Sequence, residues 1–381
     1  MNFAIAGAGF SGAVLARSLA EAGHRVDVYE RRNHVAGNCY TERDDESGVL
    51  EHRYGPHIFH TDNEEVWKYI NRFGEFVPFT NRVKTTSKGL VYSLPVNLHT
   101  INQFFGRHFS PDDARKFIAL KTESHQGEAV TFEDQALKFV GAELYEAFFK
   151  GYTLKQWGVH PTRLPASILK RLPLRFNYDD NYFTHVHQGM PREGYTPIVE
   201  AILSHELIRV ALAVELKPGD CGSYDHVFVT GPIDAWFDYR CGRLGYRTLD
   251  FRREVFTGDY QGCAVMNYAD EIVAHTRITE HKHFAPWEEH EQTVVYTEFS
   301  RQCEPGDTPY YPIRLVDEKA MLGQYVDLAR ATPATSFLGR LGTYRYLDMD
   351  VTIAEALHAG REAMSALERC DTVPNFFADP L

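Results

Sequence analysis

The chain has 381 residues, more than one hydrophobic core usually contains, so two or three lobes are expected. Its 44% hydrophobic and 24% charged residues are typical of an ordinary globular protein, and its apolar runs are too short for a transmembrane helix. The formal net charge of −12 argues against nucleic acid as a general partner, so an anionic ligand would require a locally basic pocket.

The first thirty residues predict a dinucleotide-binding turn. The apolar run Phe3 to Ala6 is typical of a buried parallel strand. The glycine spacing G-x-G-x-x-G follows from Gly7 to Gly12, and then come a helical pattern over Ala13 to Ala22 and a second strand over Arg25 to Glu30. This start has no basic leader before its apolar run, so we expect no signal peptide and a cytoplasmic protein.

Each glycine of this turn, and the acid that follows the second strand, has a physical role. Gly7 allows the tight turn, Gly9 lets the backbone approach a pyrophosphate, and Gly12 lets the helix pack closely on the strand. The helix N-terminus offers free N–H groups to the anion, and Glu30 can accept hydrogen bonds from a ribose. The alternative is a purely structural turn, and the pattern alone does not choose between FAD and NAD.

The middle of the chain changes from turns to helices. A compact turn with two histidines covers 54–60, and 83–94 is typical of a β-hairpin. Helical spacing dominates 97–175, where Thr131 and Asp134 form a capping-box pattern. The segment from Lys150 to Gly158 is then expected to leave its helix with several aromatic and polar side chains.

The last part returns to the first lobe. A buried strand is predicted at 227–230 beside the nucleotide, strands dominate 249–299, and a helix covers 318–329. Asp350 is the predicted N-cap of a helix from Val351 to about Leu367. We find no internal repeat and no low-complexity linker, so the first lobe is expected to be assembled from separated pieces of chain.

Three groups of residues are candidates for chemistry. Tyr152, Thr153 and Trp157 could line a pocket that stacks a base or sugar, although Phe148 is more typical of a core. Arg171 and Arg277 could clamp a diphosphate, although surface ion pairs are the usual role of arginine in an acidic protein. Tyrosines form the third group, at positions 182, 310, 311, 344 and 346, and most tyrosines belong to cores.

The sequence offers no protein nucleophile. It has no G-x-S-x-G elbow, no H-E-x-x-H and no P-loop, and its six cysteines show neither a C-x-x-C pair nor metal-ligand spacing. We therefore expect no metal site and reduced thiols, with any covalent chemistry supplied by the cofactor.

Taken together, these motifs resemble the bacterial UDP-galactopyranose mutase family, a family of flavin-dependent nucleotide-sugar mutases. The resemblance runs in order through nearly the whole chain. It is carried by 7–12, 29–34, 55–61, 150–158, 182–183, 230–234, 278–284, 310–312, 339–341 and 346–349. This chain departs from the family pattern at Ala36, Pro56 and Leu338, all small changes around the expected flavin.

The resemblance implies an α/β fold in which a discontinuous Rossmann-like FAD-binding domain carries an inserted helical lobe and a twisted antiparallel β-sheet lobe. The FAD-binding domain would comprise 1–78, 180–234 and 336–381. The helical substrate-binding lobe would span 96–179, and the sheet lobe 79–95 and 235–335. The active site would be the cleft between them.

The resemblance also implies roles for individual residues. Arg171 and Arg277 would hold the UDP diphosphate, with Arg171 on a mobile lid, and His60 would lie against the flavin ring. The substrate site would be shaped by Asn81, Phe148, Phe149, Tyr152, Thr153, Trp157, Tyr182, Asn267, Tyr311, Tyr346 and Asp348, with Tyr152 and Trp157 at the uridine end. FAD would be bound by Gly7, Gly9, Phe10, Ser11, Gly12, Glu30, Arg31, Gly37, Asn38, His57, Ile58, Arg247, Gly339, Arg340, Leu347, Asp348 and Met349.

The implied reaction interconverts UDP-galactopyranose and UDP-galactofuranose through a covalent adduct at N5 of reduced FAD, and it supplies galactofuranose for cell-surface glycans. NAD(P)H or another reductant would activate the enzyme, which is expected to be a homodimer or larger homo-oligomer without nucleic-acid or membrane partners. The alternatives are a flavin oxidoreductase of the amine-oxidase type, a non-catalytic dinucleotide sensor, or a mutase for the N-acetylated or another nucleotide sugar.

Overall fold

A five-stranded parallel sheet forms the centre of the first lobe. It is seen in a computed structural model that describes residues 1–125, 127–171, 174–314 and 318–381, without the side chains of Ser167, Lys170 and Arg171. In spatial order the strands are Ile208–Leu212, Arg25–Glu30, Asn2–Ala6, His226–Val229 and Thr335–Phe337. The first apolar run of the sequence is the central strand. Its residues are apolar in succession because both faces of the strand are covered.

Helices cover both faces of this sheet, which we call the parallel-sheet lobe. They are Phe10–Glu21, Glu64–Ile70, Tyr195–Leu203, Ile233–Trp236, Glu318–Arg330, Gly339–Gly342 and Met349–Glu368. On the face of Phe3 and Ile5, the helix Phe10–Glu21 packs with Met349–Glu368, and a Cβ on Gly360 would lie 2.7 Å from Cβ of Ser18. The backbone of the helix Met349–Glu368 at Gly360 therefore packs directly against the side chain of Ser18.

Two boundaries differ from the sequence prediction. The helix Glu318–Arg330 packs on the opposite face of the parallel sheet, with Leu322 and Val326 beside Val227, whereas the resemblance implies the antiparallel-sheet lobe for 235–335. The last long helix begins at Met349, and its N-cap is Asp348, two residues before the predicted cap. The first difference depends on tertiary packing, which local pattern does not encode, and the second is of the size by which helix boundaries commonly differ.

A seven-stranded sheet forms the second lobe, the antiparallel-sheet lobe. In spatial order its strands are Tyr311–Pro312, Tyr246–Thr257, Gln292–Gln302, Arg277–Glu280, Val265–Tyr268, Val83–Ser87 and Leu90–Leu94. The predicted hairpin is confirmed by the pairing of Val83 with Leu94. One pair, Val265–Tyr268 with Val83–Ser87, is parallel, so the sheet is mixed rather than purely antiparallel.

Two small sheets connect the lobes. The strands Phe59–Thr61 and Phe76–Pro78 both pair with His187–Pro191, and Thr41–Arg43 pairs with Leu50–His52. They position the histidine turn at 54–60 beside the parallel-sheet lobe.

The helical lobe contains the α-helices Leu98–Phe105, Pro111–Thr122, Phe132–Leu144 and Gly151–Trp157, and a π-helical segment Tyr145–Lys150 joins the last two. The remaining short turns are 3₁₀ helices at Gly37–Cys39, Glu123–His125, Pro161–Arg163, Ala166–Arg171, Pro218–Ser223 and His281–Phe284. The capping box of Thr131 and Asp134 is confirmed, since each side chain accepts from the other's backbone N–H. Within the described ranges, we find no helix with the length and apolarity needed to cross a membrane.

The predicted helix end near Lys150 is wrong. The helix is kinked at Gly141, where φ is +77°, and the π-helical segment Tyr145–Lys150 then leads directly into a further α-helix instead of a loop. Tyr152, Thr153 and Trp157 therefore lie on a new helix, Gly151–Trp157, rather than on a loop past a helix end.

Candidate active site

A cavity of about 680 Å³ opens among the three lobes. Predicted site residues supply much of its wall: Asn38, His57, Ile58, His60, Asn81, Tyr152, Tyr182, Asn267, Arg277, Tyr311, Arg340, Tyr346, Asp348 and Met349. Its size and its mixture of aromatic and polar groups are typical of a site for an organic ligand.

The glycine turn lies at the carboxyl end of the central strand. A Cβ on Gly12 would lie 1.9 Å from the carbonyl oxygen of Gly7, so only glycine lets the helix Phe10–Glu21 approach the strand this closely. A Cβ on Gly9, by contrast, would meet only Cα of Gly37, at 3.8 Å. The protein itself therefore does not require glycine at position 9, which leaves a ligand's close approach as the reason for it.

The anion-binding character of this turn is preserved in the structure. The helix Phe10–Glu21 has no acidic residue in its first turn, and no side chain caps its N-terminus at Gly9. A Cβ on Gly339 would lie 2.3 Å from Oγ of Ser11, so the two predicted cofactor turns, from opposite ends of the chain, are in contact. These features fit the diphosphate of a dinucleotide.

Glu30 holds the glycine turn in place. The backbone N–H groups of Ala8 and Arg32 donate to its two carboxylate oxygens at 2.9 and 3.0 Å, and the residue is only 6% exposed. Its predicted contact with a ribose stays a prediction. Asn38 is fixed nearby, because its Oδ1 accepts from Arg32 at 2.9 Å.

Arg277 is one of two arginines that line the cavity, together with Arg340. Its Nε lies 3.1 Å from Oε1 of Glu298, and its Nη2 donates to the hydroxyl of Tyr152 at 3.2 Å. Burial opposes its charge, but Glu298 and the surrounding tyrosines outweigh burial and raise the pKa of Arg277 well above its ordinary value. The guanidinium is therefore a permanent, oriented positive charge.

Glu298 is a site residue that sequence reasoning missed. It lines the cavity, is 2% exposed, and accepts from the hydroxyl of Thr276 at 2.9 Å. A carboxylate that directly follows the apolar strand residues 293–297 is the signal that could have revealed it, because a buried charge needs a partner. The strand register pairs it with Arg277.

Tyrosines form the wall next to Arg340. The rings of Tyr311 and Tyr346 stack with centroids 5.7 Å apart, and the Arg340 guanidinium lies 4.9 Å above the ring of Tyr346. Arg340 also donates from Nε to the Leu347 carbonyl at 3.1 Å. Burial, and then the neighbouring Tyr346, raise the pKa of Tyr311, so it remains a neutral hydroxyl.

Two histidines, His57 and His60, also line the cavity. The ring of His60 stacks on Phe183 with centroids 3.8 Å apart, and Nδ1 of His57 donates to the Gly55 carbonyl at 2.9 Å. Burial, followed by the charge of Arg340, lowers the pKa of His57 to about 4. His57 is therefore neutral at neutral pH.

Other predicted site residues do not line this cavity. Phe148 packs on Tyr92 and Phe104 in the core of the helical lobe, with ring centroids 5.0 and 5.4 Å away. Phe149 and Thr153 are also buried, and the Trp157 ring is 6.4 Å from that of Tyr311. Their predicted contacts with substrate stay predictions.

Three predicted arginines have different outcomes. Arg247 donates from Nε to the Gln156 carbonyl at 3.0 Å and to Oγ of Ser300 at 3.1 Å, and from Nη2 to the Lys155 carbonyl at 3.3 Å. It is thus bonded to the helix Gly151–Trp157, and its predicted role at the flavin stays a prediction. Arg31 is exposed, and the side chain of Arg171 lies outside the described residues.

One group of side chains in the described ranges has the spacing of metal ligands, although the sequence predicted no metal site. Ligand atoms of Asp259, Glu280 and His283 lie within 4.8 Å of one another. The ammonium of Lys282 is 2.9 Å from Asp259, so a protein cation already balances the charge there. The group lies outside the residues that line the cavity.

Comparisons with known proteins identify the family of the chain. The family model for UDP-galactopyranose mutase matches residues 147–346, and a model for an NAD(P)-binding Rossmann-like domain matches 5–73. The chain is 58% identical over 98% of both chains to a probable UDP-galactopyranose mutase of Klebsiella pneumoniae. It is 52% identical, over 94% of its own length and 97% of the relative's, to a dTDP-fucopyranose mutase of Escherichia coli.

The fold comparison points the same way. The crystal structure of a reduced UDP-galactopyranose mutase aligns over 96% of both chains with a TM-score of 0.73, although only 15% of residues are identical. With the family model covering more than half of the sequence and relatives matching it nearly end to end, the chain belongs to the UDP-galactopyranose mutase family.

Proposed function

We propose that this chain interconverts UDP-galactopyranose and UDP-galactofuranose with reduced FAD, and that it supplies galactofuranose for cell-surface glycans. The observation that carries the proposal is the cavity itself. It combines two arginines, Arg277 and Arg340, with several tyrosines and two histidines, and the Arg277 guanidinium is oriented by its neighbours. A nucleotide sugar requires this combination, because its diphosphate is anionic and its sugar is neutral.

The residues at the glycine turn fit FAD. Gly9 and the uncapped helix N-terminus would receive the diphosphate, Glu30 the ribose, and His57, His60 and Met349 would lie beside the ring. When bound and reduced, FAD would supply the nucleophile at N5, which the side chains of this site do not offer. An isomerisation conserves oxidation state, so the cofactor would leave each turnover in the state in which it entered.

The protein's own groups would retain and orient the substrate. Arg277, together with Arg171, would hold the diphosphate so that UDP stays close while the sugar ring opens and recloses. Tyr311 and Tyr346 would donate hydrogen bonds to oxygens near the diphosphate, and Asn81 and Asn267 would contact sugar hydroxyls. Because burial raises the pKa of Tyr311, this residue would serve as a donor and not as a base.

The test is an isomerisation assay with the purified holoprotein. UDP-galactofuranose is incubated with dithionite-reduced and with oxidised protein, and the nucleotide sugars are separated by chromatography. Conversion that requires reduction supports the proposal. Flavin reduction driven by a substrate amine would favour the oxidoreductase instead, and ligand binding without turnover would favour a sensor.

The close match to a dTDP-fucopyranose mutase supports a second candidate substrate. Fucose lacks the 6-hydroxyl of galactose, thymine carries a methyl group where uracil has hydrogen, and the deoxyribose of dTDP lacks the 2′-hydroxyl of UDP, so the three differences concern one small group each. A methyl group is typically worth only about 1–3 kcal/mol in a pocket, whereas a hydroxyl that the site hydrogen-bonds is worth more. Comparing kcat/KM for UDP-galactose, UDP-N-acetylgalactosamine and dTDP-fucose on the same preparation would rank the three.

Activation by NAD(P)H or another reductant belongs to the same proposal, as does assembly into a homodimer or larger homo-oligomer. Anaerobic reduction followed at the flavin absorbance, and light scattering of the eluted protein, would test the two points separately.

A further inference from the structure

Lys155 forms an unusual contact outside the cavity. Its ammonium donates to the backbone carbonyls of Tyr268, Asp270, Val273 and His275, at 2.7, 2.9, 2.9 and 3.0 Å. An ammonium has three N–H donors, so four carbonyls at these distances enclose it much as they would a bound cation.

The four carbonyls belong to one loop, 268–276, which joins two strands of the cavity wall. Asn267, at the end of the first strand, pairs in register with Arg277, at the start of the second, and both line the cavity. The geometry of this loop therefore sets the positions of the cation and of a polar neighbour.

Lys155 belongs to the helix Gly151–Trp157, which contacts Arg277 through Tyr152. Lys155 lies one turn after Tyr152, whose hydroxyl accepts from Arg277. At the start of this helix a Cβ on Gly151 would lie 2.3 Å from the carbonyl oxygen of Ala269, so the backbones of the helix and loop are already in close contact. Arg247 fixes the other end of the helix through the carbonyls of Lys155 and Gln156.

From these contacts we propose that Lys155 is a positioning residue for the diphosphate-binding cation: its ammonium locks the loop 268–276 onto the helix Gly151–Trp157, so that Arg277 meets the diphosphate in one fixed geometry. The inference rests on the proposed function, because it assumes that Arg277 binds UDP. Without the ammonium, four carbonyls would lose a charged donor, and the loop could move relative to Tyr152. A shift of about 1 Å in a binding group can cost about a hundredfold in activity.

The experiment measures UDP binding and turnover in Lys155→Ala at neutral pH, with the holoprotein. Burial lowers the pKa of Lys155 to about 8, so the ammonium form predominates in the wild type under these conditions. We expect the Kd for UDP to rise about 10- to 100-fold, with a matching loss of kcat/KM. Backbone amides in 265–280 should also exchange hydrogen faster.

Chemical rescue separates positioning from general damage. Propylammonium matches the three carbons and the nitrogen that Lys155→Ala removes, and it should restore UDP affinity when added in excess. Tetramethylammonium carries the same charge but no N–H, so it should not. The matched control is Lys150→Ala, since this lysine precedes the same helix and its ammonium pairs with the exposed side chain of Glu146, at 2.9 Å. It should bind UDP as the wild type does.

Each outcome bears on the inference. Unchanged UDP affinity in Lys155→Ala, or equal rescue by both cations, would overturn it while leaving wild-type turnover intact. If Lys155→Ala does not fold, Lys155→Met, which keeps the aliphatic stem, is measured in the same way, and wild-type affinity there would also overturn it. A wild-type protein that neither binds UDP nor isomerises the sugar would overturn the proposed function and the inference together.

Discussion

Arg277 and Glu298 lie opposite each other on neighbouring strands, and the guanidinium Nε is 3.1 Å from the carboxylate. Since Glu298 is 2% exposed, the pair is a buried one, and Thr276 supplies the carboxylate with a further donor. Such a pair orients a charge more than it stabilises a fold, because desolvation offsets much of the attraction. The first prediction tests this orienting role.

Glu298→Gln should lower turnover without abolishing UDP binding. Glutamine has nearly the same shape and can still accept from Thr276, but it no longer fixes the Arg277 guanidinium by charge. We expect kcat/KM to fall and the Kd for UDP to rise, each about 10-fold, because the cation remains but its direction is less defined. Steady-state kinetics and calorimetric UDP titration give the two quantities. Asp250→Asn, in an exposed pair with Arg301 on the adjoining strand, is the control and should behave as wild type.

Removing Arg277 itself should be more costly. Arg277→Ala takes away a charged donor to the diphosphate and leaves Glu298 buried without its partner, so turnover should fall by about 2–4 kcal/mol, or about 30- to 1,000-fold. Arg171→Ala is predicted to have a similar effect. Arg163→Ala, at an exposed position, is the control. Near-normal kinetics in Arg277→Ala and Arg171→Ala would mean that the diphosphate binds elsewhere.

The cofactor proposal predicts a separation between folding and flavin content. In Gly9→Ala the new Cβ meets only ordinary contact, 3.8 Å from Cα of Gly37, so the protein should fold. The same methyl group would occupy the space that a diphosphate needs, so the purified variant should contain little FAD. Absorbance in the visible range measures flavin, and circular dichroism measures folding. The control is Gly219→Ala, whose Cβ points into open space; it should contain as much FAD as the wild type. If Gly9→Ala also contains a full complement of FAD, the cofactor binds elsewhere.

Buried histidines predict a loss of stability in mild acid. His281 is buried, and its Nδ1 accepts from the backbone N–H of His52 at 3.1 Å. Burial is the largest cause of the lowering of its pKa from 6.5 to about 4. The unfolded chain thus binds this proton first as the pH falls, so the contribution is complete above pH 6.5 and is lost as the pH approaches 4.

The expected loss from His281 over this window is about 1–3 kcal/mol in the free energy of unfolding. In His281→Asn, Oδ1 can replace Nδ1 as the acceptor but does not titrate, so urea unfolding across the same pH range should show a shallower slope. His108→Asn, at an exposed position, should leave the slope unchanged. If the slope in His281→Asn equals that of the wild type, other groups are responsible for the acid sensitivity.

The sequence was most informative where the chemistry is local. The glycine turn, the hairpin at 83–94 and the capping box of Thr131 and Asp134 each depend on residues close in sequence, and all three are found in the structure. The apolar spacing through Val140 and Leu144 continues past the π-helical segment. The sequence pattern therefore does not predict the change from α-helical to π-helical hydrogen bonding there.

Contacts between distant segments could not be predicted in this way. The pairing of Glu298 with Arg277 depends on strand register, and the enclosure of Lys155 depends on where one loop meets one helix. The bond from Arg247 to the carbonyl of Gln156 likewise joins residues 91 positions apart in the chain. Predicting such partners requires the three-dimensional arrangement of the lobes.

The contact between the helices Phe10–Glu21 and Met349–Glu368 has a consequence for biosynthesis. As the ribosome extends the chain, the glycine turn is made long before the edge strand Thr335–Phe337 and the helix Met349–Glu368. The parallel-sheet lobe therefore cannot close until these segments have been synthesised, and until then the apolar side of the helix Phe10–Glu21 lacks its partner. Binding of a dinucleotide at the glycine turn would then follow synthesis of the second helix, and nascent chains stalled before residue 335 would expose apolar surface that favours aggregation.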